Sequence, residues 1–331
     1  MIKKILFRVP VTNKTGIGHF MRSLSLALAL KNNSKYHIKF VINNNNFAKK
    51  LLKKNKIIFK VSKYLYPQNL DDAKFLNENN IDLVIVDSPI LKNQWIEYFK
   101  KKEIKTLGIF SDTKSFKPTN YELWPESNLN QITYKKKMSL KFSLLSNEYW
   151  KKFKPKKSKS IKKILITFGG CDHLDLTSKY LNALNKFVKR RLNIIIIIGQ
   201  FYNNIKKIKL AKKLSNHKIT LINKPFGIFD YIKDCELVIN AGGTTLIEAC
   251  ILKKKTITTS VWTSQDNLTK NILHKKNFII CNKVKNLKLQ SNINKKITEM
   301  IIKNKKYKYL KKIDGYGCKR ASIWIKKIVS N

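Results

Sequence analysis

The chain has 331 residues, a formal net charge of +49 and 43% hydrophobic residues. That length predicts about two domains, with cores large enough to fold without a disulfide or a metal staple. The hydrophobic fraction excludes wholesale disorder. The longest apolar run, 194–198, is far shorter than the roughly 20 residues of a membrane-spanning helix, so an integral membrane protein is not expected.

The first half alternates strand-like apolar runs with helix-like segments. In chain order, the pattern predicts strands over 5–11, 38–42, 83–86 and 106–110, and helices over 20–30 and 47–54. Short apolar strands separated by helices indicate βαβ units and parallel sheets. The opening letters MIKKILFRVPV lack a small-residue cleavage site, so we expect a first buried strand and not a signal peptide.

The second half repeats this alternation after a polar stretch, KKFKPKKSKSIKK at 151–163, whose composition is typical of a linker. The pattern predicts strands over 164–168, 193–199, 218–223, 236–243 and 256–261, and helices over 174–186, 229–233, 245–252, 268–274 and 319–329.

We therefore predict an α/β protein of two doubly wound Rossmann-like domains, 1–150 and 164–331, joined by the linker 151–163. The last helix is free to pack back on the first domain. Two such domains on a hinge predict a ligand in an interdomain cleft, because strand carboxyl ends and helix N-termini would meet there.

Cysteine and histidine spacing gives little sign of a metal site. The five cysteines are far apart and form no C-x-x-C pair: Cys171, Cys235, Cys250, Cys281 and Cys318. That argues against a zinc ribbon or a disulfide framework and predicts a reducing, cytoplasmic location. Four histidines have no partner at ligand spacing and are expected at the surface or as helix caps: His37, His173, His217 and His274. We expect no metal and no cofactor.

The positive charge has two interpretations. Lysine and arginine total 69 against 20 acidic residues, and arginine occurs at only five positions. Lysine, asparagine and isoleucine share A/T-rich codons, so genome composition explains the charge without selection for binding. The alternative is an anionic partner, a nucleic acid or a membrane surface. Nucleic-acid binding normally brings clustered arginine or interleaved aromatics, and here lysine is spread over the whole chain. We expect no nucleic-acid partner, leave attraction to an anionic membrane open, and see no obligate protein partner.

The glycine turn T-G-I-G-H-F-M-R follows the first strand and opens a helix. Gly16 and Gly18 permit positive φ and a close backbone approach to a ligand, and the helix N-terminus offers free N–H groups. His19 is placed to act as a general base near neutral pH, and Arg22 to pair with an anion. The structural alternative is a glycine turn with a helix-capping histidine. Asp87 follows the strand 83–86 and is predicted to bind substrate.

The turn N-A-G-G-T-T-L-I-E-A also joins a predicted strand to a helix. Gly242, Gly243, Thr244 and Thr245 offer backbone donors and two hydroxyls, which suit a diphosphate. Glu248 lies one turn into the helix, where it could accept hydrogen bonds from ribose hydroxyls. Alternatively, the S/T-x-x-E spacing makes it a capping-box partner of Thr245.

Two further turns carry polar groups. In F-G-G-C-D, Gly169 and Gly170 form a phosphate-sized nest at a strand-to-helix junction. Asp172 either binds substrate or caps the next helix, and capping is the favoured role. In T-S-Q-D-N-L, Gln265 and Asn267 offer donors and acceptors to sugar hydroxyls, or belong to an N-cap cluster. Together the turns predict a nucleotide diphosphate held by the second domain and a reacting sugar held against the first.

These turns belong to four segments that match, in order, the motifs of one family: FRVPVTNKTGIGHFMRSLSLA (7–27), ILITFGGCDHLDLT (164–177), CELVINAGGTTLIEA (235–249) and IDGYGCKR (313–320). The chain resembles the UDP-sugar hydrolases of the pseudaminic-acid pathway and the related spore-coat polysaccharide biosynthesis proteins. These are similar in fold to the lipid-II-forming N-acetylglucosaminyltransferase. The resemblance covers nearly the whole chain, and Gln265 falls on the family glutamine.

The resemblance implies a GT-B-like fold and a UDP-sugar substrate. It also implies hydrolysis at the anomeric carbon without a metal, with His19 as the base or water-orienting residue. By the same resemblance, the turn 242–245 and Glu248 hold the nucleotide. A glycosyltransferase on this fold is the alternative, with His19 deprotonating an acceptor hydroxyl. A charge-driven nucleic-acid-binding protein is the weaker alternative.

The sequence departs from the family pattern mainly in its sugar-facing half. Pro10 replaces the aspartate that follows F-R, and Ser111–Asp112 replaces an acidic pair. Asp87 is followed by Ser88 and not by the usual tyrosine, and Ser264 replaces an asparagine. Nucleotide-sugar binding is therefore predicted more firmly than the particular sugar or the hydrolytic outcome.

Overall fold

The computed structural model describes residues 2–31, 35–76, 80–111, 117–127, 129–154, 160–262, 265–266, 268–269, 272, 279–281, 289–302 and 313–330. The chain divides into two compact units. Unit 1 comprises Met1–Trp150 and Asp314–Asn331, and unit 2 comprises Lys151–Ile313. Within the described ranges no helix is long and apolar enough to cross a membrane.

Unit 1 is a sheet with helices on both faces. Its strands are β1 (Lys3–Arg8), β2 (Tyr36–Ile42), β3 (Ile58–Val61), β4 (Leu83–Val86), β5 (Lys105–Ile109), β6 (Tyr121–Trp124), β7 (Gln131–Ile132) and β8 (Lys136–Met138). Its helices are α1 (Gly18–Lys31), α2 (Asn46–Lys54), α3 (Leu70–Leu76) and α4 (Asn93–Lys101). The strand order is β3-β2-β1-β4-β5-β6-β8-β7, and the pairs are parallel except β7 with β8.

The two faces of this sheet bury different layers because successive strand residues point to opposite sides. In β1, Ile5 and Phe7 join the core that α1 covers. Leu6, between them, joins the core that contains Trp95 of α4. The order around β1 makes a doubly wound sheet, in which the strand-to-helix turns lie at the carboxyl edge.

The last helix, Gly317–Ser330, packs on α1 and belongs to unit 1. It enters through the motif I-D-G-Y-G-C-K-R. A Cβ on Gly315 would lie 2.1 Å from the carbonyl oxygen of Tyr149, and Gly315 has a φ of +75°. Asp314 pairs with Arg320 through both of its oxygens, and Arg320 also donates to the carbonyl of Lys141 at 2.9 Å. This motif therefore docks the helix on unit 1.

Unit 2 contains a second parallel sheet. Its strands are β9 (Lys163–Thr167), β10 (Asn193–Ile198), β11 (Lys218–Asn223), β12 (Leu237–Asn240), β13 (Lys255–Thr259) and β14 (Ile279–Cys281). Its helices are α5 (Leu176–Phe187), α6 (Ile205–Lys213), α7 (Phe229–Asp234), α8 (Thr244–Ile251) and α9 (Leu289–Ile297), and we number the terminal helix Gly317–Ser330 as α10. The strand order is β11-β10-β9-β12-β13-β14.

The described parts of the predicted elements are present, but several elements begin or end at residues other than those predicted. The strand predicted over 5–11 ends at Arg8, because Pro10 has no N–H to continue the ladder. The predicted helix 174–186 begins at Leu176. The predicted helix 268–274 is described only at Leu268, Thr269 and Ile272, and all three are helical. His274 lies outside the described residues. Helices α3, α4, α6 and α9 and strands β3, β6, β7, β8 and β14 were not predicted from the sequence.

Candidate functional site

The turn between β1 and α1 is held by its own side chains. The amide of Thr12 donates to Thr15 Oγ1 at 3.1 Å, and the amide of Gly16 donates to the carbonyl of Thr12 at 2.9 Å. Gly16 has a φ of +67°, as predicted, whereas Gly18 is not in the left-handed region. A Cβ on Gly18 would meet no atom within 4 Å. Neither the backbone conformation nor a close neighbour therefore requires glycine at position 18.

His19 points into the sheet edge and meets Asp87. The distance from His19 Nδ1 to Asp87 Oδ1 is 2.6 Å. The histidine side chain is 21% exposed, and the aspartate side chain is 0% exposed. An ionised carboxylate can only accept, so the short contact assigns the Nδ1 proton to the histidine. In the tautomer with its proton on Nδ1, the lone pair of the ring lies on Nε2.

Asp87 lies immediately after β4 and accepts from three side chains. Besides His19, it accepts from Arg22 Nε at 2.7 Å, from Arg22 Nη2 at 2.6 Å and from Ser23 Oγ at 2.9 Å. Burial alone would raise the pKa of Asp87, but the charges and hydrogen bonds of Arg22 and His19 lower it to about 2. Asp87 is therefore an anion at neutral pH, with both oxygens occupied by protein donors.

Arg22 lies one turn along α1 and connects this cluster to a second acid. Its Nη1 donates to Ser111 Oγ, and to Glu126 Oε1 at 3.3 Å. Burial alone would lower the pKa of Arg22, but the carboxylates of Asp87 and Glu126 raise it above its ordinary value. We name His19, Arg22, Asp87 and Glu126 the charge cluster.

The charge cluster changes the roles expected for two residues. Substrate binding was predicted for both Arg22 and Asp87. Arg22 is 5% exposed, and the anion it pairs with is the carboxylate of Asp87. Both groups are satisfied within the protein, so their geometry suits orienting His19 better than contacting a ligand. Glu126 was missed because it follows β6, 104 residues after Arg22, and no local pattern marks it.

The arginine of the F-R motif has a structural role. Arg8 is fully buried, and its Nε lies 3.1 Å from both carboxylate oxygens of Asp72 on α3. Asp72 also accepts from Trp95 Nε1 at 2.9 Å and from Ser62 Oγ at 3.1 Å. A buried pair with additional hydrogen bonds costs several kcal/mol to break from one side. This pair therefore fastens α3 and α4 to the end of β1.

In unit 2, the turn after β9 contains Gly169 and Gly170. Gly169 is exposed and has a φ of +75°. Its carbonyl oxygen lies 2.1 Å from the position a Cβ on Gly199 would take, so the end of β10 packs directly on this turn. Asp172 Oδ1 accepts from the amide of Leu176 at 2.8 Å, and Oδ2 from the amide of Thr177 at 2.9 Å. Asp172 thus satisfies amides of the first turn of α5, as its favoured capping role predicts.

The turn after β12 is built more tightly. Gly242 has a φ of +78°, and a Cβ there would lie 2.8 Å from Thr258 Cγ2 and 3.0 Å from Thr269 Oγ1. The amide of Gly242 donates to Asn240 Oδ1 at 2.8 Å. Gly243 is the N-cap of α8 and supplies no side-chain cap. Helix α8 therefore begins with backbone N–H groups that no capping side chain covers, an arrangement suited to an anion.

The capping-box alternative for Glu248 is wrong. A capping box needs its Ser or Thr at the N-cap position, and Thr245 is the second residue of α8. Thr244, Thr245 and Glu248 are all partly exposed.

Gln265 lies in the next turn and holds it together. Its Oε1 accepts from the amides of Val261 at 2.9 Å and Trp262 at 3.3 Å. Its Nε2 lies 3.6 Å from the position a Cβ on Gly243 would take. The predicted residues of the turns after β12 and β13 are therefore neighbours. Asn267, predicted alongside Gln265, lies outside the described residues, as do Ser264 and Asp112.

Among the described residues, the remaining histidines and cysteines form no second cluster. His37 and His173 are exposed as predicted, but His217 is only 6% exposed and is therefore not a surface histidine. Cys235, Cys250 and Cys318 are buried free thiols, and Cys171 is half-buried. In the part of the chain that the structure describes, no three His, Cys, Asp or Glu residues form a group that could hold a metal ion.

Comparison with known proteins gives a fold. The chain and MurG of Acinetobacter baumannii align with a TM-score of 0.66 and 13% identity, over 98% of this chain and 99% of that one. A complex of Staphylococcus aureus MnaA with UDP aligns with a TM-score of 0.62 and 14% identity, over 99% and 97%. This chain has the GT-B fold. A UDP-GlcNAc 2-epimerase of Neisseria meningitidis, bound to UDP-GlcNAc, aligns with a TM-score of 0.56 and 16% identity, over 99% of both chains.

Sequence comparison adds less. No protein-family model matches the chain. An uncharacterized protein of Methanocaldococcus jannaschii, MJ1062, is 28% identical over 259 residues, which cover 72% of this chain. That match spans 51% of MJ1062, so this chain corresponds to about half the length of that relative.

Proposed function

We propose that this chain hydrolyses a UDP-activated amino or deoxy sugar at its anomeric C–O bond, without a metal, and releases UDP. The resemblance to the pseudaminic-acid-pathway hydrolases assigns the reaction to the biosynthesis of a nonulosonic acid or of another surface polysaccharide. The observation that carries the proposal is the 2.6 Å contact between His19 Nδ1 and the buried carboxylate of Asp87. A histidine held this way at a sheet edge is a general base oriented by an acid.

The step follows from that tautomer. Nε2 of His19 accepts a proton from water as the water oxygen bonds to the anomeric carbon. The bond between that carbon and the β-phosphate oxygen breaks, and UDP leaves with the electron pair. The negative charge of Asp87 stabilises the imidazolium that forms. In this scheme Asp87 and Arg22 are positioning residues and only His19 touches the reacting atoms.

Unit 2 supplies the nucleotide site in this proposal. The uncapped start of α8, with Gly243, Thr244 and Thr245, takes the diphosphate through backbone N–H groups and hydroxyls. Gly242 shapes this turn through its left-handed backbone, and its own amide donates to Asn240 Oδ1. Glu248 takes the ribose hydroxyls. The turn at Gly169 and Gly170 adds backbone groups, and Gln265 directs its Nε2 to the sugar. Asp172 contributes by fixing the start of α5.

The test is UDP release from a panel of UDP-sugars, including diacetamido-trideoxy sugars, with a chelator present and no acceptor. We expect release by the wild type and loss of at least about 100-fold in His19→Ala, the scale of general-base catalysis. UDP binding should be retained in that variant. His37→Ala, which removes an exposed histidine of β2, is the matched control and should turn over normally. Full activity in His19→Ala would remove the base assignment.

A glycosyltransferase is the second candidate. The same histidine can deprotonate an acceptor hydroxyl as readily as water, and the GT-B fold is shared with MurG. UDP release that begins only when an acceptor is added would select this reaction. Release at the same rate without an acceptor would select the hydrolase.

A further inference from the structure

One aromatic side chain at the edge of the unit 2 sheet is left largely uncovered. Trp262 follows β13 and is 53% exposed. Its ring meets the ring of His173 edge to face, with centroids 6.1 Å apart and an interplanar angle of 87°. His173 follows β9 and is itself exposed. The two rings form a perpendicular corner open to solvent, which we name the aromatic corner.

The aromatic corner stands at the carboxyl edge where the predicted nucleotide turns lie. Strands β9 and β13 flank β12 in the sheet and run parallel to it. The turn at Gly242 and Gly243 follows β12, so His173 and Trp262 extend from the strands on either side of it. Gln265 links the two features, since it accepts from the amide of Trp262 at 3.3 Å while its Nε2 approaches Gly243.

We propose that Trp262 and His173 bind the sugar ring of the UDP-sugar, by stacking the apolar face of a hexopyranose on the indole. One face of such a ring carries mainly C–H groups, and ligand sites use aromatic walls for such surfaces with a few polar groups to fix orientation. Gln265 Nε2 is the adjacent polar group. Deoxy and N-acylated sugars, which expose more apolar surface, should stack best. This inference rests on the proposed function.

The residues already assigned to the other parts of the ligand favour the sugar over the nucleobase as the ring that binds the aromatic corner. The start of α8 suits the diphosphate, and Glu248 within α8 is assigned to the ribose. The aromatic corner lies on the loops after β9 and β13, and the backbone amide of Trp262 donates to Gln265, the residue assigned to sugar hydroxyls. The pyranose is then the ring left for Trp262. Binding of the base there is the competing outcome of the test.

The experiment measures binding by calorimetry with UDP and with a panel of UDP-hexoses and UDP-N-acetylhexosamines. Full-length His19→Ala serves as the background, so that substrate is not consumed. Adding Trp262→Ala should weaken UDP-sugar binding about ten-fold, the scale of one lost aromatic contact, and leave UDP binding unchanged. Trp262→Phe should recover most of the loss, because it keeps an aromatic face. His173→Ala should weaken binding less, since only the edge support is lost.

Leu214→Ala is the matched control, because it removes a side chain that is 73% exposed, just after α6, and should change neither affinity. If Trp262→Ala weakened the binding of UDP and of UDP-sugars equally, the aromatic corner would bind the nucleobase, and the inference would be overturned. Unchanged binding of every UDP-sugar would also overturn it, with the proposed function intact if UDP still binds. Failure of the background protein to bind UDP would instead overturn the proposed nucleotide site, and the inference with it.

Discussion

The two units have similar sheets but carry different chemical groups at the carboxyl edges of those sheets. In unit 1 the edge carries interacting titratable side chains, of which Arg22 and Asp87 are buried: His19, Arg22, Asp87 and Glu126. In unit 2 it carries glycine turns, with Gly169 and Gly242 in the left-handed region and α8 without a side-chain cap. Titratable side chains can move a proton, whereas backbone N–H groups can hold an anion without titrating. The two units therefore share an architecture but differ in the chemical groups that the sheet edge presents.

Breaking the charge cluster should have the largest effect. Asp87→Asn removes the anion that fixes His19 and leaves Arg22 buried without a full countercharge. We expect turnover to fall about 10²- to 10⁴-fold, and unfolding free energy to fall by about 3–5 kcal/mol. UDP release and chemical denaturation measure the two effects.

Asp82→Asn is the control at the opposite end of the same strand. Asp82 accepts from Lys3 Nζ at 2.8 Å with both side chains partly exposed, and such pairs contribute about 0–1 kcal/mol. If Asp87→Asn does not fold, Ser23→Ala removes only the hydroxyl donor 2.9 Å from Asp87 and should still slow turnover. Wild-type turnover in both variants would refute the orienting role of Asp87.

The glycine turns of unit 2 should be sensitive to substitutions that conflict with their backbone conformation. Gly242→Ala puts a Cβ at a φ of +78° and 2.8 Å from Thr258 Cγ2. We expect a loss of about 1–3 kcal/mol in unfolding free energy and weaker UDP binding. Gly243→Ala is the matched control for the stability measurement, since its φ is −91° and its nearest contact would be 3.6 Å away. Equal destabilisation by both would show that the fold does not depend on the left-handed turn.

This contrast also explains what the sequence could predict. The glycine turns and the strand–helix alternation are local patterns, so the positions of Gly16, Gly169 and Gly242 could be read from neighbouring residues. The role of Asp172 was predictable for the same reason. Burial of Asp87 depends on Arg22 and Ser23, more than 60 residues away in the chain. Sequence spacing carries no information on such a contact, so Asp87 was expected to face a ligand.

The placement of α10 shows the same limit. Its motif I-D-G-Y-G-C-K-R was recognised, but its purpose depends on the backbone near Tyr149, which a Cβ on Gly315 would strike. Glu126 was not recognised at all. Ion pairs and close backbone contacts between residues distant in sequence depend on how the elements pack, whereas a turn depends on its own neighbouring residues.

Removing the outer acid of the charge cluster should have a smaller effect than removing Asp87. Glu126→Gln keeps a hydrogen-bond acceptor near Arg22 Nη1 but removes its charge. We expect turnover to fall by less than about ten-fold and stability by about 1 kcal/mol. Glu122→Gln, on β6, is the control, because Glu122 pairs with the partly exposed Lys136 Nζ at 3.0 Å. A loss in Glu126→Gln as large as in Asp87→Asn would mean that the cluster works as one unit.

The smallest expected effect is on the pH dependence of the free energy of unfolding, which should differ between the two units. Burial lowers the pKa of His217 below its ordinary 6.5, and a contact with the Leu184 backbone offsets only part of this shift. The folded state therefore binds this proton less readily than the unfolded chain, so its contribution to stability is present above pH 6.5 and is lost as pH falls. Asp87 behaves similarly at lower pH, since its pKa falls from 3.8 to about 2.

Denaturation of the wild type between pH 5 and 8 should therefore show a stability loss below about pH 6.5 that originates in unit 2. His217→Phe should flatten that slope, because it removes the titrating ring from its buried position. Loss from the Asp87 contribution should begin only below pH 3.8. Identical slopes in wild type and His217→Phe would show that this burial has no energetic consequence, and the acid sensitivity of the units would then rest on their carboxylates alone.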